Sequence, residues 1–434
     1  VKPPNKRIAF YTLGCKLNYA ETATIARRCE KGGYTPVDFR QDADVYVINT
    51  CSVTEHADRD CRKLVRQARR RAPAARVVLM GCYGQLQPDK ARDQLGVDLV
   101  LGANEKFDLI KHLNQFPENG ATTVLVSPVT DLNTFHPALA LGERTRAFLK
   151  VQDGCDYPCT YCSIPLSRGG SRNRSVAETL TAARQVMNQD VKEVVLTGVN
   201  IGTFGQAGAE SFLDLLKALE TLPVERLRIS SIEPNLLTDG IIRLVARSPK
   251  YVPHFHLPLQ SGSNAILRAM RRRYTREVYG EWVARVKDVI PAAGIGADVM
   301  VGFPGETETC FEETYRFITA LDLSYLHVFS FSPRPGTPAA GYPDQVPPEI
   351  RKERSRRLHA LGQEKRWHFH QQAQHTVRPV LFETYSEGCL QGYTDNYIRV
   401  TVPGAPERVN TIGEVELIEA TGEGMVGRLI TASS

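Results

Sequence analysis

The chain has 434 residues, room for about three domains at ~150 residues each. It is 42% apolar and 24% charged, a balance that excludes collagen-like, coiled-coil and mostly disordered chains. No run of eighteen apolar residues occurs, so no membrane span is expected, and the first residues show no signal-peptide core. These features lead us to expect a cytoplasmic enzyme. Lys and Arg outnumber Asp and Glu by 54 to 48, with basic runs over 62–76, 268–276 and 351–366. Such runs commonly mark solvated helix faces, but three in one chain also suit a polyanionic partner. The ten cysteines are Cys15, Cys29, Cys51, Cys61, Cys82, Cys155, Cys159, Cys162, Cys310 and Cys389. Where thiols stay reduced, clustered cysteine argues for metal or redox chemistry rather than disulfides.

From the N-terminus, strands are expected over 7–12, 44–49, 76–80 and 98–101, and helices over 20–31 and 55–71. Gly32-Gly33 closes the first helix and Pro73 the second. Strands separated by helices predict an open parallel sheet. Residues 116–143 read as an irregular linker, so a first α/β domain is expected over 1–140. The next strands are expected over 147–151, 193–197, 226–230, 254–257, 295–300 and 325–329, with helices over 176–188, 212–219, 277–290 and 310–321. Six strand–helix units favour a partial (β/α)6 barrel over a closed eightfold one. With a long helix over 348–374 they make up a domain over 141–373. Strands over 377–382, 396–402 and 413–418, separated by glycine turns, predict a small antiparallel β-barrel over 374–434.

The strongest local signal is Cys155-Asp156-Tyr157-Pro158-Cys159-Thr160-Tyr161-Cys162. It follows a strand, at the C-terminal rim where barrel enzymes place their chemistry. Three neighbouring thiolates repel one another unless a cation is bound, and soft sulfur selects zinc or iron–sulfur. Structural zinc wants four closing ligands, and no fourth Cys or His lies nearby. A [4Fe–4S] cluster on three cysteines leaves one iron open to a small molecule. The C-x3-C-x2-C spacing, with aromatic Tyr161 before the last cysteine, resembles the signature of the radical S-adenosylmethionine (SAM) superfamily. That resemblance implies SAM bound at the open iron and split to a 5′-deoxyadenosyl radical. Loops after later strands would line the same rim, carrying Gly198 and Asn200, Ser231 and Glu233, Gln260, and 302–306. With Tyr161, the named residues are the SAM-binding candidates. Each loop taken alone also reads as an ordinary βα turn.

Three more cysteines each follow an expected strand: Cys15, Cys51 and Cys82. The C-terminal ends of parallel strands share one edge of the sheet, so residues far apart in sequence would converge there. Gly14 and Gly81 remove side chains beside the sulfurs. Here the pattern resembles the methylthiotransferase family of radical SAM enzymes over nearly the whole chain. Thr12-Leu13-Gly14-Cys15-Lys16-Leu17-Asn18, Asn49-Thr50-Cys51-Ser52-Val53-Thr54-Glu55-His56-Ala57-Asp58-Arg59 and Cys162-Ser163-Ile164-Pro165-Leu166-Ser167-Arg168-Gly169 resemble its MtaB type. The resemblance implies an auxiliary [4Fe–4S] cluster on Cys15, Cys51 and Cys82, and a C-terminal TRAM barrel that binds RNA. It implies methylthiolation at C2 of N6-threonylcarbamoyladenosine at position 37 of tRNA. Two SAM would serve each turnover, as radical source and methyl donor, with a flavodoxin- or ferredoxin-like electron donor. Related types act on isopentenyladenosine or on a ribosomal-protein aspartate.

The substrate would present its anticodon stem-loop and a carboxylate, for which an arginine fork is suited. Arg168, Arg172 and Arg174, just after the cysteine loop, are the candidates, and Tyr393 and Arg399 on the barrel are candidates for RNA contact, with Tyr385 and Tyr397 nearby. Cys29, Cys61, Cys310 and Cys389 are read as structural or surface thiols. A reading from another class is a non-catalytic RNA-binding protein whose cysteines hold zinc.

Overall fold

The computed structural model describes residues 6–51, 55–116, 121–140, 145–185, 190–206 and 208–430. Six parallel strands build the N-terminal sheet: β1 (Arg7–Thr12), β2 (Thr35–Val37), β3 (Val45–Thr50), β4 (Arg76–Gly81), β5 (Leu99–Leu101) and β6 (Thr123–Leu125), in the order β2-β1-β3-β4-β5-β6. All six residues of β3 are buried, as expected of a parallel strand covered on both faces. Ile48, Val77 and Leu79 pack on one face, and Val47, Val78 and Met80 on the other. The covering helices are α1 (Lys16–Lys31), α2 (Glu55–Arg71), α3 (Cys82–Leu86), α4 (Pro88–Leu95) and α5 (Leu109–Asn114). α1 starts earlier than its sequence suggests because Cys15, in extended backbone, takes the N-cap position without a side-chain hydrogen bond. The usual Ser, Thr, Asp or Asn signal is therefore missing.

The linker expected over 116–143 holds two short strands instead. β6 completes the first sheet, and β7 (Leu139–Ala140) pairs antiparallel with β8 (Arg146–Lys150) at the edge of the second. Strands of two or three residues carry too little alternation to be read from sequence.

The central domain continues with β9 (Glu193–Thr197), β10 (Arg226–Ile229), β11 (His254–His256), β12 (Gly294–Val301) and β13 (Tyr325–Ser330). β8, β9 and β10 pair in parallel, as do β11, β12 and β13. Parallel bridges Leu227↔Tyr251 and Ser231↔His256 link the two groups, giving the six-stranded partial barrel. Its helices are α6 (Ile164–Arg168), α7 (Val176–Ala183), α8 (Phe212–Leu219), α9 (Asp239–Arg247), α10 (Asn264–Ala269), α11 (Arg276–Val289) and α12 (Glu308–Ala320). Capping boxes at Ser175/Glu178 and Ser211/Asp214 start α7 and α8. α7 ends at Ala183; residues 186–188 of the longer helix expected there lie outside the described residues. Leu149, Leu196, Leu227, Phe255, Val299 and Leu326 belong to one continuous core. Each such side chain contributes roughly 1.5–3 kcal/mol by leaving water.

α13 (Pro348–Ala373) packs on β13 and leads into β14 (Val377–Ser386), β15 (Cys389–Thr394), β16 (Arg399–Pro403), β17 (Ile412–Ala420) and β18 (Met425–Leu429). They form a closed barrel in the order β14-β15-β16-β18-β17. It is not wholly antiparallel: β16 and β18 run in parallel and close the ring. The barrel docks beneath the central domain. Arg226 donates to the Pro379 carbonyl at 2.6 Å, Asn396 to the Ala292 carbonyl at 2.9 Å, and Arg146 pairs with Glu383 at 2.6 Å.

Candidate active site

The loop after β8 is clipped at its base. Asp153 and Arg172 exchange backbone hydrogen bonds of 2.9 and 2.8 Å, and the Cys155 N–H reaches the Gly169 carbonyl at 3.0 Å. Gly154 has φ +69°, and a Cβ there would lie 1.9 Å from the Gly170 carbonyl oxygen, so only glycine fits. Within the loop, the Tyr157 and Ile164 N–H groups point at the Cys155 and Cys162 sulfurs, each at 3.4 Å. Arg272 donates to the Cys159 sulfur and the Tyr161 hydroxyl at 3.4 Å and is ion-paired with Glu233. Burial raises all three thiols, and Cys162, which also feels Cys159 and Cys155, is pushed up to about 12. Thiols held this way become thiolates only when a cation joins them.

The second triad is assembled by the sheet edge. Cys15 caps α1, Cys51 follows β3 and Cys82 opens α3. Three side chains stitch these ends together. Asn18 donates to the Leu13 and Thr50 carbonyls at 3.0 and 3.1 Å. Asn49 donates back to α1, to the Asn18 carbonyl at 3.1 Å and the Thr22 hydroxyl at 2.9 Å. Thr50 donates to the Met80 carbonyl at 2.6 Å and accepts from the Tyr83 N–H at 3.2 Å. A Cβ on Gly14 would lie 2.7 Å from the Cys51 Cβ, which places the first two cysteine segments in contact. Cys15 keeps accessible surface, yet burial raises its thiol.

Between the two triads lies a buried ion network that crosses the domain boundary. Glu21 of α1 pairs with Lys106 at 2.6 Å, Lys150 at 2.8 Å and Arg168 at 3.1 Å. Asp153 pairs with Lys150 at 2.6 Å, Arg168 at 3.0 Å and Arg172 at 3.2 Å. Burial alone would raise Glu21; Arg168, Lys106 and Lys150 hold it well below the usual carboxylate range. Arg168 also lowers Cys15 electrostatically and is itself influenced by Cys82. α3, which opens with Cys82, packs on α6, which opens two residues after Cys162.

Among the described residues, His256, Asp298 and His327 form the one trio of His, Cys, Asp or Glu whose ligand atoms all lie within 4.8 Å. Neither cysteine triad is drawn in that tightly, whereas one zinc at ~2.3 Å from each sulfur needs sulfurs ~3.8 Å apart. The wider spacing, the N–H groups aimed at sulfur and the adjacent arginine all suit an iron–sulfur cluster.

The SAM candidates gather around the loop to different degrees. Asn200 lies 3.9 Å from the Cys155 sulfur, and its Oδ1 is buried without a hydrogen-bond partner. Glu233 acts electrostatically on Cys155 and Cys159. Gly198 abuts Gln152, whose side chain accepts from the Val199 and Asn200 N–H groups. Tyr161 packs against Phe303 beside Arg272. Ser231 is hydrogen-bonded to His256 at 2.6 Å, and Gln260 takes φ +66° in a bridge to Val299.

The substrate candidates are placed less as expected. Arg168 is 2% exposed, with four N–H groups committed to Glu21, Asp153 and Asn18. Arg172 is tied to Asp153 and to the Thr134, Arg168 and Gly170 carbonyls. As placed, both hold the loop rather than offer a fork. Arg174 is half-exposed, beside Glu178 at 3.1 Å, and lines a 360 Å³ hollow with Asp156 and Glu210. Tyr393 is not a free platform: it stacks on Tyr397 at 4.9 Å, and the Arg146 guanidinium covers it at 4.9 Å. Arg399 and Tyr385 remain on the surface. Cys29 and Cys61 are fully buried, their thiols pushed up to about 12 by burial.

Sequence reasoning missed the lumen wall. His254 and His256, Asp298, and Tyr325 and His327 alternate with core residues Phe255, Ala297, Val299 and Leu326, so they face away from the helices. Burial would raise Asp298, but hydrogen bonds from His256 and His327 hold it well below the carboxylate range. Polar residues at every second position of three apolar strands were the available signal. Lys16 was also passed over. It keeps accessible surface, yet burial, then Arg228 and Arg146, bring its ammonium down to about 8.

Residues 7–102 match the uncharacterized protein family UPF0004 and residues 149–318 the radical SAM superfamily. In shape the chain is similar to the radical S-adenosylmethionine methyltransferase TsrM from Kitasatospora setae, determined with cobalamin and a [4Fe–4S] cluster bound (TM-score 0.57, 15% identity, 77% of each chain). It is also similar to the cobalamin-dependent S-adenosylmethionine radical enzyme OxsB (TM-score 0.52, 13% identity, 82% of this chain and 55% of that one). The fold is that of a radical SAM enzyme.

Sequence similarity goes further. The chain is 40% identical to the threonylcarbamoyladenosine tRNA methylthiotransferase MtaB of Bacillus subtilis, over 95% of its own length and 94% of the relative's. Identity to the MtaB of Aquifex aeolicus is 38%, over 92% and 98%. A tRNA-2-methylthio-N(6)-dimethylallyladenosine synthase of Parafrankia sp. is 34% identical over 82% of this chain and 74% of the relative. The chain belongs to the radical SAM methylthiotransferase family, on its MtaB branch, and is an enzyme transferring sulfur-containing groups. No helix among the described residues is long and apolar enough to cross a membrane.

Proposed function

We propose that this enzyme adds a methylthio group to C2 of N6-threonylcarbamoyladenosine at position 37 of tRNA, using two [4Fe–4S] clusters. The observation that carries the reading is the pair of cysteine triads set on either side of one buried ion network, with α3 packed on α6. Cys155, Cys159 and Cys162 would hold one cluster and Cys15, Cys51 and Cys82 the other. Bound there, they would supply the electron that splits SAM into a carbon radical and the sulfur that passes to carbon. An aromatic C2–H is too weakly acidic for any side chain to remove at neutral pH, which is why a radical is needed.

The chain's own residues orient and shield the reactants. The Tyr157 and Ile164 N–H groups and Arg272 stabilise negative charge on sulfur. Asn200 and Glu233, beside the loop, are suited to the polar parts of SAM, with Gly198 and Gln260 giving backbone approach. Tyr161, Phe303 and Met300 form an apolar wall that keeps water from a reactive radical. Moving the adenosine out of its stack costs a few kcal/mol, which phosphate contacts offset. Arg62, Lys63, Arg66 and Arg70 line a surface hollow on α2, and with Arg399 and Tyr385 they are suited to the anticodon stem-loop. A flavodoxin- or ferredoxin-like protein would deliver the electrons. The domain limits 1–140, 141–373 and 374–434 belong to the same proposal, as does a cytoplasmic location.

Mass spectrometry of tRNA nucleosides from cells with and without the active enzyme tests the substrate. Methylthio-threonylcarbamoyladenosine is expected only with the enzyme. Its absence, or a methylthio-isopentenyl product instead, would overturn the assignment. About eight iron and eight sulfide per chain after anaerobic reconstitution is expected for two clusters. Zinc without sulfide would favour a non-catalytic RNA-binding protein.

A further inference from the structure

Lys16 stands directly beside Cys15, and its ammonium makes no hydrogen bond or ion pair with any described residue. The first turns of α1 run along β8, with Tyr19 packed on Phe148 at 5.8 Å and Glu21 paired with Lys150 at 2.8 Å, so Lys16 lies towards Arg146 at the start of that strand. Arg146 and Arg228 cover Tyr397, which packs on His254 and Tyr325 at the base of the barrel lumen. That base carries a cationic surplus. Glu193 is shared by Arg228 at 2.7 Å, Arg146 at 3.5 Å and Arg226 at 3.9 Å. Glu383 is engaged by Arg146, and Asp395 by Arg378 at 3.3 Å. With Lys16, five cations face three anions, and the Arg146 Nη2 is buried without a hydrogen-bond partner among the described residues. The N-terminus of α1 adds to the field, with no acidic residue in its first turn and no side-chain cap. A buried surplus of this kind is stabilised by an incoming anion.

Substrate chemistry fixes where that anion must lie. In adenine, the carbon bearing N6 is separated from C2 by a single ring nitrogen. A group that grips an acidic N6 substituent therefore has to stand close to the cluster that delivers sulfur to C2. Lys16, next to Cys15 of the second triad and with its side chain accessible, meets that requirement, whereas Arg168 and Arg172 are already committed.

We propose that Lys16, backed by Arg146 and Arg228, receives the carboxylate of the N6 substituent and so selects a carboxylate-bearing adenosine over one with an apolar group. This inference rests on the substrate reading above and deepens it. An ammonium–carboxylate hydrogen bond in a sheltered site is worth about ten- to hundredfold in affinity.

The test uses the reconstituted holoenzyme with anticodon stem-loop RNAs carrying threonylcarbamoyladenosine, its neutral methyl ester or isopentenyladenosine at the target position. Affinity is read by fluorescence anisotropy, and turnover by nucleoside mass spectrometry. The wild type should bind the acid about ten- to hundredfold more tightly than the ester. Lys16→Gln should bring that ratio close to one, and Lys16→Arg should restore most of it, with iron content measured in each to normalise for cluster loading. An acid-to-ester ratio unchanged in Lys16→Gln, or equal binding of acid and ester by the wild type, would overturn the role of Lys16 while methylthiolation of the acid RNA upholds the substrate reading. Turnover of the isopentenyl RNA alone would overturn both.

Discussion

The loop at Cys155, Cys159 and Cys162 carries its geometry within one segment, clipped by backbone bonds between Asp153 and Arg172. Cys15, Cys51 and Cys82 meet only because three parallel strands end side by side and Asn18, Asn49 and Thr50 tie those ends. The first site is a local structure placed on a scaffold, while the second is the scaffold's own edge. Damage to sheet register should therefore empty the second site before the first.

The sharpest way to break this comparison is to remove one sulfur from each triad. Cys159→Ala should reduce SAM cleavage to background and leave about half the iron, whereas Cys51→Ala should keep 5′-deoxyadenosine formation and lose all methylthio product. Chromatography of both products on the same samples checks this; loss of SAM cleavage in both variants would mean that the sites are not separable.

Stability comes next. Glu21→Gln leaves Lys106, Lys150 and Arg168 crowded around a neutral group and should cost about 3–5 kcal/mol by denaturant unfolding. Asn18→Ala should cost less, about 1–3 kcal/mol. It should also lower the iron retained by a Cys159→Ala background, where only the auxiliary site is left to load.

The smallest effect is on pH dependence. Glu21 is held well below its ordinary value, and Glu193, despite burial, is brought to about 2 by Arg228 and Arg146. Groups depressed in the fold add stability that is full above the unfolded carboxylate value of ~4.3 and drains away as pH falls below it. His136 and His370, each lowered to about 4 by burial, and His254, held well below its ordinary value by burial and by Arg228, add terms that are full above ~6.5 and lost as pH falls from there towards ~4. A plateau in unfolding free energy above pH ~6.5, a decline from there to pH ~4.5 as the buried histidines are charged on unfolding, and a further decline beneath it as the carboxylates are protonated is expected. A flat profile between pH ~6.5 and ~4.5 would contradict the buried-histidine contribution.

The contiguous cysteine loop was readable because its spacing needs no fold. The second triad was readable only through the strands that precede each cysteine, and those were well marked by apolar runs such as Val45–Thr50. β2, β6 and β7 escaped because two or three residues show no period. Arg272 lies within a basic run that reads as solvent-facing, yet it turns inward to Cys159. Arg168 looked like a substrate fork until its partners on another domain came into view, since sequence does not show which of several arginines finds a buried carboxylate. Lys16 was hidden by its famous-looking neighbour, a cysteine that absorbs the meaning of the motif around it.

The C-terminal barrel is fastened to the underside of the lumen by Arg226, Arg146 and Asn396 rather than hung on a tether. It has no swing. Any nucleic acid gripped on its outer face is thus held at a constant offset from the cavity where carbon reacts. Reach becomes a filter: a base presented too near or too far from the gripped backbone never arrives, whatever its chemistry.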